Sequence, residues 1–352
     1  MLNYELWFIL LNISNKEKIS LIDEYENEEN IYNNFENILK ENKKIQKKLG
    51  KFEKNDLIYE IISLNNILNK KSIGYITYSN PLYKERLRLF SPIPYYLFYK
   101  GNIQLINEKS IAIVGARKCS NYALAVTKLL TKEIITNNIT LISGGARGVD
   151  SIAHKSALEN GGRTIIVLGC GIDVVYPAEN KALFSKVIED GLIISEFPLG
   201  TKPLRHNFPL RNRIISGLSD GVIVIEASEK SGSLITARIA QEQNKDVLVV
   251  PGSILYEGAK GSNKLIKDGC DVLTSINDLS RFFEKNHMNI QPMKIRPEKR
   301  EILDMITDAP IHIDDIFKNS CVDRGALYAL LFEMQIKNEI ICLPGNYYIK
   351  II

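Results

Sequence analysis

From Ser110 onward the chain carries six short β-branched apolar runs: "SIAIVG", "ITLISGG", "RTIIVLGCG", "GLIISEF", "GVIVIEA" and "DVLVVPG". Most end in glycine, and the segments between them are long enough for a helix. A strand that is apolar on both faces must be covered on both faces. Such strands alternating with helices build a parallel sheet with helices on either side. The pattern therefore predicts an α/β domain, a doubly wound parallel sheet, over about 107–280. In sheets of this kind ligands bind beyond the carboxyl ends of the strands. The residues that follow each run are the ones to read for function.

The flanks differ. Residues 1–75 are rich in Asn, Lys, Glu and Ile, and Ile31, Phe35, Ile38 and Leu39 recur at helical spacing, which predicts several short helices. Residues 76–106, with "NPLYKERLRLFSPIPYYLFYKG", form a connector rich in proline and tyrosine that leads to a short strand. Residues 281–295 read as a linker. From 296 to 352 two helical patterns precede "EIICLPGNYYIKI", where a Pro-Gly-Asn turn between strand-like runs predicts a hairpin. This is a module of winged-helix size. Its helix "DRGALYALLFEMQIKNE" is mostly apolar and the module is slightly acidic, which favours packing or partner contact over duplex reading.

The net charge of the 352 residues is only +4, so an anion-binding role needs a local patch. Five cysteines without a CxxC pair argue against a zinc site or a disulfide framework and suit a reducing compartment. The opening "MLNYELWFILLNIS" is too short to span a bilayer and carries Glu5 where a signal peptide has basic residues. No membrane segment and a cytoplasmic location are expected.

Three loops offer amide donors at the sheet edge. After the first run comes "VGARKCSNYA", in which Gly115 allows a tight turn, Arg117 hangs over the carboxyl edge, and Ser120 is suited to cap the next helix. A surface ion pair would account for Arg117 equally well. The spacing of the later glycines does not fit a dinucleotide fingerprint, either here or at Gly169-Cys170-Gly171. In "SGGARGVDSIAH", Gly144, Gly145 and Gly148 permit close backbone approach and N–H groups aimed at an anion. Asp150 and His154 share a helix face there, and a structural role is favoured for them. Ser231, Gly232 and Ser233 precede a clear helix, so a phosphate would fit among their amides, although an ordinary capped helix looks the same.

The densest charge lies in "PLRHNFPLRNR", after the fourth run. Arg205, Arg211 and Arg213 can fork onto phosphate. Phe208, held between Pro203 and Pro209, could stack a base, as grips for single-stranded nucleic acid do. Alternatively Phe208 is core, and Arg211 and Arg213, where a helix begins, are structural. No P-loop, nucleophile elbow or HExxH is present, and the four histidines are scattered. No metal, no cofactor and no enzymatic activity are expected.

The ordered series from "IAIVGAR" through "SGGARGVDSIAH", "FPLGTKPLRHNFPLRNR" and "SEKSGSLITARIAQ" to "DVLVVPG" resembles the bacterial DNA-processing protein A family, DprA or Smf, over about 105–275. The resemblance implies an extended Rossmann-like domain flanked by an N-terminal helical SAM-like domain and a C-terminal winged-helix-like domain. It implies a non-enzymatic protein that binds single-stranded DNA, forms homodimers and loads the RecA recombinase during natural transformation. By the same resemblance Arg117, Arg205, Phe208 and the Ser231 to Ser233 loop line the DNA pocket. Lysine is frequent in the family where Arg205 stands, and Gly145 replaces a common leucine. The alternative is a nucleotide-processing enzyme of the phosphoribohydrolase (lysine decarboxylase-like) group. Its PGGxGT motif is missing, and Glu226 has no matched partner.

Overall fold

The computed structural model describes residues 2–83, 87, 92–283, 297–307, 309–320, 322–336 and 339–350. The chain forms two compact units, Met1–Glu284 and Lys285–Ile352.

The six apolar runs become β3 (Ser110–Val114), β4 (Thr140–Ser143), β5 (Thr164–Val167), β6 (Leu192–Ser195), β7 (Gly221–Val224) and β8 (Asp246–Val249). All are parallel to their neighbours in this group. Every residue of β3 to β7 is buried. Alternation explains why: side chains on a strand point to opposite faces in turn. Ile111 and Ile113 pack with Leu130, Ile134 and Ala153 on one face. Ala112 and Val114 pack with Ile214, Leu218 and Ala237 on the other. Neither face meets water, so neither can be polar.

With β9 (Asp271–Val272) and two further strands, β1 (Gly74–Thr77) and β2 (Tyr96–Gly101), the sheet has nine strands in the order β1-β2-β6-β5-β4-β3-β7-β8-β9. From β3 the chain steps outward through β4 and β5 to β6, then returns to the far side of β3 as β7. The loops after β3 and β7 therefore diverge, which opens a crevice at the carboxyl edge. The sequence pattern did not show that β1 and β2 extend this sheet as two antiparallel strands, β2 against β6 and β1 at the edge. The 76–106 stretch is thus part of the sheet and not a free connector.

Six short helices, α1 (Tyr4–Leu10) to α6 (Ile58–Lys70), precede the sheet. The run Ile31, Phe35, Ile38 is buried as its spacing predicts, but the helix breaks at Asn34 between Glu28–Asn33 and Phe35–Glu41. A domain boundary near 75 does not divide the packing. Trp7, Phe8 and Phe35 share one apolar cluster with Tyr95 and Phe98 and with Ile166, Leu168 and Phe184 of the sheet layer. Most of the expected linker, from 284 on, lies outside the described residues.

The second unit has the helix Pro297–Met305, the short strand β10 (Ile311–His312), the helices Ile313–Asn319 and Arg324–Ile336, and a hairpin of β11 (Ile340–Leu343) and β12 (Tyr347–Lys350). Gly345 and Asn346 both take positive φ in the turn, as a tight hairpin demands. This is the element order of a winged helix.

Lys18 is an exception in the N-terminal core. It is buried, its Nζ donates to the Ile9 carbonyl at 2.6 Å, and the rings of Phe8, Tyr95 and Tyr96 lie 5.5 to 5.9 Å away. Burial pushes its pKa down to about 7. The unfolded chain keeps that proton to about pH 10.4. Between these limits the unfolded state binds more protons, so stability rises with pH. Urea unfolding from pH 7 to 10 should show Lys18→Met ahead of the wild type at pH 7 and the gap closing as pH rises. A pH-independent gap would contradict this account.

Candidate nucleic-acid interface

The stretch 203–213 starts a helix earlier than its prolines suggest. The helix Asn207–Leu218 begins just after His206 and holds Phe208, Pro209, Arg211 and Arg213. Pro209 is tolerated because the first helical turn has no N–H partner to lose. Helical spacing then splits the arginines between two environments.

Arg211 points into the sheet edge. Its guanidinium is buried, donates at 2.8 Å to the carbonyl of Gly144 after β4, and also donates to the carbonyl of Val167 on β5. Burial pushes its pKa down to about 10, against the attraction of Asp150, so it stays charged at neutral pH. Burial likewise pushes Asp150 up, while the Arg211 charge and the Ala146 N–H at 3.3 Å favour its ionised form. Arg213 is buried in a bidentate pair with Glu196, both contacts 2.5 Å, and also donates to Pro92 O at 2.6 Å. It does not line the cleft described below. Of the three arginines read as phosphate ligands, only Arg205 is exposed.

Phe208 is half-buried, so the core and ligand readings of its ring meet in one residue. The Arg117 guanidinium lies 5.3 Å from its ring centroid, Arg211 lies 5.9 Å away, and the Tyr176 ring 5.8 Å away. Around this ring opens a cleft of about 800 Å³. The cations on its wall are Arg117, Lys118, Arg205, Arg211 and Lys230. Ser231, Gly232 and Ser233 close one end. Ser231 caps the helix Gly232–Glu242, and nothing lies within 4 Å of where a Gly232 side chain would be, so a ligand has room there.

The second glycine loop does a different job from the one its sequence suggests. A Cβ on Gly144 would sit 2.5 Å from the Arg211 guanidinium. Gly148 has φ +70, and a Cβ there would meet the Ala116 carbonyl at 2.2 Å. These glycines let Arg211 and the β3 loop pack, and Gly144 does not line the cleft. Asp150 and His154 are both buried, His154 against Thr164 at 2.7 Å, consistent with structural roles. Ser120 caps the helix Asn121–Thr136, but it faces a separate neighbouring cavity and donates to Glu226 at 2.5 Å. Gly115, Arg117, Arg205, Phe208 and the 231–233 loop do come together.

Lys118, Lys230 and Tyr176 also line the cleft, and sequence reasoning did not single them out. Each lysine adjoins a motif that was read, Lys118 beside Arg117 and Lys230 beside Ser231. Tyr176 carries no signal beyond its "VVYP" context. Among the described residues Arg117, Lys118, Arg205 and Lys230 make no ion pair.

Fold and cleft together define a Rossmann-like protein with a basic binding edge at the strand-order switch point. Residues 74–284 match the DNA recombination-mediator protein A family, and the chain belongs to it. The DNA processing protein DprA of Streptococcus pneumoniae is 46% identical over 192 residues, 54% of this chain and 67% of that protein. Protein Smf of Escherichia coli is 34% identical over 280 residues, 75% of this chain and 74% of that protein. The crystal structure of the S. pneumoniae protein superposes with a TM-score of 0.66 at 33% identity, covering 81% of this chain and 99% of that one. A structure of DNA processing protein A from Helicobacter pylori, described for its single-stranded DNA binding mode, matches at 31% identity and a TM-score of 0.54, covering 59% of this chain and 94% of that one.

Arg213→Ala should strand the buried Glu196 charge and cost about 3–5 kcal/mol of stability, measured by urea unfolding. A loss below about 1 kcal/mol would mean the pair behaves as a surface pair and that Arg213 is free for other work.

Proposed function

We propose that this protein grips single-stranded DNA along the basic cleft and delivers the strand to the RecA recombinase, acting as a homodimer in the cytoplasm without chemistry on the DNA. The observation that carries the reading is four exposed cations without ion-pair partners among the described residues, set around one half-buried aromatic ring. Guanidinium and ammonium groups hold phosphates, and the ring offers a face to an unstacked base. In a duplex the bases are stacked on one another and cannot reach a recessed ring. The H. pylori relative, named for its single-strand binding, supports the same choice. The absence of chemistry is proposed because the one carboxylate on the cleft wall among the described residues, Asp150, is buried against the Arg211 charge.

Fluorescence anisotropy with single-stranded and duplex DNA tests the grip. The single strand should bind more tightly, and Arg205→Glu should weaken it at least tenfold with an unchanged melting temperature. Equal affinity for duplex, or an unaffected Arg205→Glu variant, would overturn the reading. Phe208→Ala should cost roughly 1–3 kcal/mol of binding if a base stacks on the ring. Arg117→Ala and Lys230→Ala should each flatten the slope of log affinity against log salt by about 0.7. Recovery of intact strands, and of nucleoside monophosphates without free base, checks the lack of chemistry. Faster RecA assembly on the bound strand checks the delivery step.

A further inference from the structure

A second cavity of about 430 Å³ opens beside the basic cleft, with a different chemistry. Its wall includes Tyr122, Ile225, Pro251 and Tyr256, with Ser120, Ser253 and Glu226 as polar groups. The two spaces share three loops. On each loop, residues two apart face different spaces: Lys118 faces the cleft and Ser120 the cavity; Ser228 the cleft and Glu226 the cavity; Gly258 the cleft and Tyr256 the cavity. Two residues of chain span at most about 7 Å, so the two spaces lie within the length of one nucleotide of each other.

The lining suits a base and not a phosphate. Glu226 is buried and its carboxylate accepts from the Ser120 N–H at 3.1 Å and the Ser120 hydroxyl at 2.5 Å. An ionised carboxylate has about four acceptor positions and no donor, so Glu226 can take further N–H groups and repels an anion. Tyr122 donates its hydroxyl to the Pro251 carbonyl at 3.3 Å, which fixes its ring as a wall. Apolar and aromatic walls with a few placed polar groups are the make-up of small-ligand pockets.

We propose that this cavity is a nucleobase subsite, in which Glu226 accepts hydrogen bonds from base N–H groups beside the Tyr122 ring while the phosphate lies in the basic cleft. The proposal rests on the single-strand reading of the cleft and deepens it. It adds a preference among bases. Guanine presents adjacent ring and amino N–H donors on its pairing edge, whereas thymine presents one N–H between two carbonyl oxygens that a carboxylate repels. The same chemistry would hold the guanine of a strand or of a free nucleotide.

The test uses the full chain, a 15-nucleotide thymidine strand, and the same strand with one central guanosine. The guanosine strand should bind about fivefold more tightly to the wild type. Glu226→Gln should remove that preference and leave affinity for the thymidine strand unchanged. Tyr122→Ala, at an exposed position, should reduce the preference with no change in melting temperature, so the test survives if Glu226→Gln fails to fold. Equal affinity of the wild type for both strands would overturn the proposal, as would a preference that survives both substitutions. Free GMP separates the two sources. Competition with the guanosine strand alone assigns the cavity to guanine from either source. A preference that GMP does not disturb assigns it to bases of a bound strand. If neither strand binds the wild type, the cleft reading has failed, and Glu226-dependent binding of GMP then decides the cavity by itself.

Discussion

The buried guanidinium of Arg211 holds the functional edge of the sheet in shape. It donates to carbonyls at the ends of β4 and β5, and it lies against Phe208. A buried cation is costly unless it is paired and hydrogen-bonded. Here two carbonyls and the Asp150 charge meet that cost. The same cation explains the glycine at 144, where any side chain would collide with it. It also fixes the start of the helix Asn207–Leu218, and with it where Phe208 and Arg205 stand. The cleft is therefore built from inside, by a charge that no ligand needs to touch.

Charge in this chain works by placement. With a net charge of only +4, attraction for nucleic acid cannot come from the molecule as a whole. Arg213 and Glu196 neutralise each other, and so do Arg147 and Glu179 at the surface. Four exposed cations that make no ion pair among the described residues, Arg117, Lys118, Arg205 and Lys230, line the crevice where the strand order reverses. The second unit follows the same economy, burying Lys299 between Glu333 and Glu339.

The strands were legible because burial on both faces leaves no choice of residue: Ile111 to Val114 can be read only as a covered strand. The two antiparallel strands were not, since β1 and β2 are only partly buried and carry tyrosines and a lysine. The N-terminal helices were legible as helices, but their union with the sheet core rests on contacts such as Phe8 with Tyr95, far apart in sequence. At the site, the loops that would converge could be read from strand order. The fate of each arginine could not, because Arg213 meets Glu196 and the Pro92 carbonyl only in three dimensions. The glycines of the second loop were legible as points of close approach, but a glycine does not say what approaches, here the Arg211 guanidinium and the Ala116 carbonyl.

The central claim is that a single strand lies in the cleft around Phe208 and Tyr176. Photo-cross-linking of a 5-iodouracil-substituted single strand to the full chain, with the attached peptides identified by mass spectrometry, tests it most directly. Cross-links at Phe208 or Tyr176, lost when unlabelled single strand competes, are the predicted result. Cross-links confined to the second unit, Lys285–Ile352, would contradict it.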